Sequence, residues 1–135
     1  MASVRKEIIT RAGAAQVWDA VRDIGALHTR LVPGFVTDTR LVAGARIVTF
    51  ANGSALREPI VTIDDAGMRL VWSAEGGLTS HFNASAQVIS EADGGARVVW
   101  IADFLPDSVA GEIDAAMTIG AEAMKTALDQ IAGAA

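Results

Sequence analysis

DSVAGEIDAAMTIGAEAMKTALDQI, residues 107–131, decides the architecture. Its apolar side chains fall at Val109, Ile113, Met117, Ala121, Met124, Leu128 and Ile131, the three-to-four spacing of a single helix face. Glu112, Asp114, Glu122, Lys125 and Asp129 lie mostly off that stripe, and Asp107 or Ser108 is placed to cap the start. The spacing predicts one long amphipathic helix whose apolar face must be covered by another layer. The Ala-Gly-rich residues beyond it are expected to fray.

Upstream of the helix, from Phe35 to Phe104, the periodicity is two, and turn residues cut it at short intervals. The runs are Phe35–Val42, Arg46–Phe50, Leu56–Ile63, Met68–Ala74, Thr79–Ile89 and Arg97–Phe104. Between the second and third of these stands Asn52-Gly53, a strong hairpin signal. Gly76-Gly77 and Gly94-Gly95 read as turns of the same kind, and no phosphate-binding loop, dinucleotide fingerprint or Gly-x-Ser-x-Gly elbow is present. Short strands joined by tight turns predict an antiparallel meander. Pro59 inside a run predicts an edge or a bulge. Further upstream, Ser3–Thr10 alternates as a strand and Ala14–Val21 reads as a short helix. Ile24, Leu27, His28 and Leu31 continue at helical spacing up to Pro33-Gly34, which predicts a second short helix. The reading is a single α+β domain over residues 1–135: a curved antiparallel sheet of about seven strands around a long C-terminal helix, with two short helices between strands 1 and 2.

Composition narrows the function. The 135 residues are 51% hydrophobic, enough for one buried core, and no apolar stretch reaches the roughly 20 residues of a membrane-spanning helix. The first residues lack the apolar segment of a cleaved secretion signal. There is no cysteine, which removes disulfides and thiolate chemistry and fits a cytoplasmic location. A net charge of -5 with scattered basic residues argues against nucleic acid and acidic membrane surfaces. Two distant histidines without metal-ligand spacing leave no metal site, and nothing in the sequence calls for a cofactor.

A lone helix cannot fill the concave side of a strongly bent sheet unless large side chains plug the gap. Aromatic residues make up only 5% of this chain, and there is no tyrosine. Phe82, Ala84, Ala86 and Val88 share one strand face, while the helix offers Ala116, Gly120 and Ala121 beside Met117 and Met124. Small residues on two walls, with adaptable methionines, predict an apolar cavity. Trp18, Trp72 and Trp100 are the side chains able to fill it instead.

Three stretches carry a resemblance to the START-like, helix-grip (SRPBCC, Bet v 1-like) superfamily, in its polyketide cyclase/dehydrase and lipid-transport branch. They are Gly44-Ala45-Arg46-Ile47-Val48; Arg57-Glu58-Pro59-Ile60 followed by Asp64-Asp65; and Met68–Trp72 with Val98-Val99-Trp100, the series ending at Leu105-Pro106-Asp107. The resemblance covers essentially the whole chain and implies a ligand held between sheet and helix. In synthase-like members an arginine and a glutamate at these places act together on the substrate; here they are Arg46 and Glu58. The ligand-binding lysine of receptor-like members is replaced by Thr37, which does not support a hormone receptor. Their gate loop corresponds to Ala51–Ala55, which keeps only its turn character. A pocket tyrosine of both kinds of relative is replaced by Phe82.

Glu58 is the first candidate catalytic residue, with Arg46 as the cation across the hairpin, able to orient a carbonyl while the carboxyl moves a proton. The competing reading is a structural ion pair, or a Glu58 turned to solvent. Candidate ligand contacts are Trp72, Phe82, Ala84 and Trp100 on the sheet and Met117, Ala121 and Met124 on the helix. His28 either lines the pocket mouth or packs as a surface residue. By strand alternation His81 belongs to the outer face. Asp103 faces outward or anchors the turn before the helix. The function expected is that of a carrier or sensor of a small hydrophobic metabolite, as a monomer or weak homodimer. The alternatives are a cyclase, dehydratase or isomerase, and a domain that acts through its surface.

Overall fold

A computed structural model of the chain describes residues 2–134. Seven strands form one antiparallel sheet: β1 (Ala2–Thr10), β2 (Val36–Val42), β3 (Ala45–Phe50), β4 (Ala55–Asp64), β5 (Arg69–Ser73), β6 (His81–Ser90) and β7 (Ala96–Leu105). Their order is β1-β7-β6-β5-β4-β3-β2, so β1 and β2 are the edges and only the β1–β7 pairing departs from a meander. Asn52-Gly53 turns β3 into β4 as its chemistry predicts: Gly53 has φ 88°, and the Asn52 side-chain oxygen accepts from the Ser54 amide at 2.9 Å. The register slips within β2 between Val36 and Asp38, and within β4 between Ile60 and Thr62, just past Pro59. Such irregularities bend a sheet, and this one curves.

Helix α1 (Ala14–Arg22) forms as expected and buries Val17, Trp18 and Val21. Beyond it the expected second short helix is present as two irregular turns. Ile24–Ala26 is a 3-10 turn and Leu27–Leu31 a π-helical turn, closed by the Val32 amide donating to the Leu27 carbonyl at 2.9 Å. Gly25 lies against the sheet edge: a Cβ there would stand 3.1 Å from the Leu41 side chain of β2.

Helix α2 (Ala110–Ala134) runs 25 residues, about 37 Å. A 3-10 turn over Asp107–Val109 leads into it, so Asp107 and Ser108 lie inside this first turn, and Pro106 precedes it. The apolar stripe of α2 covers the concave face of the sheet. Met117, Met124 and Leu128 join Val4, Ile8, Val98 and Phe104 in a single buried cluster that also takes in Val17, Trp18 and Val21 of α1. At roughly 1.5–3 kcal/mol per large side chain removed from water, this cluster is the main stabilising term of the fold.

Candidate functional site

Strand register brings the site together on the concave face. Arg46 of β3 lies directly opposite Glu58 of β4, and Trp72 of β5 is opposite both Ile60 of β4 and Ala84 of β6. Arg46 Nε donates to Glu58 Oε1 at 2.9 Å, with the two residues only 2% and 6% exposed. The Arg46 guanidinium stands 5.4 Å from the centre of the Trp72 ring, and its Nη1 donates to the Ile24 carbonyl at 3.4 Å. The 3-10 turn therefore roofs the pair, and Trp72 walls it. A carboxylate this close to an arginine would ordinarily titrate low. Here loss of solvation outweighs the attraction, and burial pushes the Glu58 carboxyl above the usual carboxylate range despite Arg46. A dry carboxyl with a raised pKa, beside a fixed cation, can hold or pass a proton.

The expected ligand contacts divide by depth. Trp72, Ala84, Trp100, Met117 and Met124 are buried in the central cluster, and Phe82 and Ala121 are partly buried against it. Phe82 stacks on Phe104 with ring centres 6.4 Å apart. Part of the space offered by the small helix residues is occupied: a Cβ on Gly120 would lie 3.0 Å from both Trp100 and Phe35, whose rings rest on the bare backbone. His28 is half-buried, its Nδ1 3.0 Å from Thr39 Oγ1 on β2. His81 and Asp103 are exposed on the outer face, where His81 pairs with Asn83 and Asp103 accepts from Ser3 and Asn83.

Two clefts flank α2, and of the expected ligand contacts only Ala121 borders either. One, of about 490 Å³, lies between α1, the π-helical turn and α2, and is bordered by Gln16, Asp19, Thr29, Arg30 and Gln130. The other, of about 240 Å³, runs between β1 and α2 beside Lys6, Thr118 and Ala121. Both depend on how helices dock, which periodicity alone does not report. Among the described residues no group of three or more acidic or histidine side chains is placed to hold a metal, and no helix is long and apolar enough to cross a membrane.

Comparison with known proteins sets this geometry in a family. A protein from Thermobifida fusca solved in solution is 28% identical, with a TM-score of 0.77, covering 99% of this chain and 95% of that one. A START superfamily protein from Mycobacterium smegmatis shares the fold at 10% identity, TM-score 0.77, covering 96% of this chain and 98% of that one. The di-domain ARO/CYC protein BexL of the BE-7585A biosynthetic pathway shares it at 14% identity, TM-score 0.75, over 96% of this chain and 46% of that one. No curated protein matches the sequence. The family described as polyketide cyclase / dehydrase and lipid transport matches residues 1–135, and with the helix-grip fold in place the chain belongs to that family.

Proposed function

We propose that the protein binds a small hydrophobic metabolite, of polyketide, lipid or terpenoid type, between its curved sheet and α2, and acts as its carrier or sensor. The observation that carries this reading is the composition of the concave face. Apolar sheet residues meet two methionines of α2 there, and one buried polar pair stands at the side. Methionine side chains repack around varied apolar shapes at low cost. The family's description, which joins cyclases and dehydrases with lipid transport, favours ligands of the same class.

The raised pKa of Glu58 favours a second reading, a cyclase, dehydratase or isomerase in which Glu58 is the acid/base and Arg46 holds a developing oxyanion. Native mass spectrometry on gently purified protein, with extraction of any bound compound, tests the first reading. A defined apolar compound near one per chain supports it. A clean apo mass with no thermal shift across a panel of hydrophobic metabolites overturns it. Glu58→Gln separates the two readings: a carrier keeps its affinity for an apolar ligand, whereas an acid/base role predicts a turnover loss of about a hundredfold or more.

A further inference from the structure

Trp100 occupies the middle of the concave face, opposite Lys6 of β1 and Ala86 of β6. Its ring edge rests on Gly120 of α2, and the residue is 9% exposed. Among the described residues its indole Nε1 is the one buried side-chain polar atom without a hydrogen-bond partner. Trp18, by contrast, donates its Nε1–H to Asp65 Oδ1 at 3.0 Å. The surroundings explain why Trp100 has no acceptor. Ala84, Ala86 and Ala102 carry none in their side chains, and the carbonyls of β6 and β7 are taken up in pairing with each other, with β5 and with β1. The Lys6 ammonium, a donor, goes to Asp114, and the Glu58 carboxyl is held by Arg46. A buried donor left unmade is a costly defect, and phenylalanine would give a flat apolar ring without it.

We infer that the molecule held between sheet and α2 carries an oxygen acceptor, a ketone or hydroxyl on an otherwise apolar skeleton, which takes the Trp100 Nε1–H. This rests on the ligand-binding reading above and narrows it from hydrophobic metabolites in general to oxygenated ones. Trp100 is then a specificity-determining residue: an oxygenated ligand gains a buried hydrogen bond that a pure hydrocarbon of the same shape cannot make.

The test uses a matched pair of probes, 2-acetylnaphthalene and 2-isopropenylnaphthalene, which differ by an oxygen in place of a methylene. Titration of the wild type and of Trp100→Phe gives the ratio of ketone to alkene affinity in each. The expected result is a ratio about five- to tenfold lower in the variant, the worth of one such hydrogen bond. The second readout needs only the wild type: with ¹⁵N-labelled tryptophan, the Trp100 indole proton moves downfield on saturation with the ketone and not with the alkene. An unchanged ratio, or an indole proton that responds equally to both probes, overturns the inference while leaving ligand binding intact. Failure of both probes to bind counts against the ligand-binding reading itself, and the inference falls with it.

Discussion

Arg46 and Glu58 face each other across two adjacent strands in a place with almost no water, so each depends on the other for solvation. Removing one member of such a pair strands a buried charge, and Arg46→Ala is expected to cost about 3–5 kcal/mol in urea unfolding. Replacing both with leucine is expected to recover most of that loss. If the double replacement also keeps ligand binding, the pair is architectural. Glu58 further predicts a pH signature with a definite sign. Its folded pKa is raised, so the native state holds the proton more tightly than the unfolded chain does. The stability this gives is complete below the ordinary glutamate value and fades as pH rises through the folded value. The difference in unfolding free energy between wild type and Glu58→Gln should therefore shrink as pH rises across that window. A difference that grows with pH would mean the ion pair outweighs desolvation. This pairing was partly legible from sequence, because the Asn52-Gly53 hairpin brings positions 46 and 58 near one another. The roof over it was not, since it depends on where the Ile24 carbonyl comes to rest.

At the scale of elements, α2 and the sheet meet through a contact that no residue pattern announces. Gly120 reads as a weak point in a helix, yet its missing side chain is where the rings of Trp100 and Phe35 pack. Gly120→Ala gains up to about 1 kcal/mol of helix propensity and must displace two packed rings, at about 1–3 kcal/mol. The net expectation is a loss of about 1 kcal/mol, read as a melting temperature lower by roughly 4 °C. A melting point that rises would show that the rings give way freely. The α1 helix is fastened differently. Asp65, in the β4–β5 turn, accepts from both Arg22 and the Trp18 indole, and these two bonds hold its carboxyl below the usual aspartate range. Its contribution is present above the ordinary aspartate value and is lost as pH falls through the depressed one, the opposite sign to Glu58. Asp65→Asn should abolish that acid-side loss, visible in the Trp18 indole resonance. Strands, hairpin and long helix were readable because each repeats one period between turn residues. The π-helical turn was not, because Ile24, Leu27, His28 and Leu31 sit at spacings that any helical turn satisfies.

In the whole molecule the same cluster runs from the β1 edge through the sheet into both helices, and α2 is fastened to β1 along its length. Lys6 meets Asp114 at 2.8 Å, the Thr10 hydroxyl donates to Asp129 at 2.7 Å, and Lys125 donates to the Ile9 carbonyl at 2.8 Å. Sheet and helix should therefore unfold as one cooperative unit, and anything bound between them stabilises all of it. At about a hundred times its dissociation constant, such a ligand adds about 2.7 kcal/mol, which for a chain of this size raises the melting temperature by roughly 10 °C. Ala84→Phe sets the control, since Ala84 is 1% exposed and lies opposite both Trp72 and Ala102. The added ring costs about 1–3 kcal/mol by overpacking and takes the volume a ligand would use. The variant is expected to melt lower and to lose the ligand-dependent rise. A variant that keeps the full rise locates the binding outside the grip, in one of the clefts beside α2. A protein acting through its surface behaves differently again: its partner binding survives Ala84→Phe, and no small apolar compound shifts the melting point of either form.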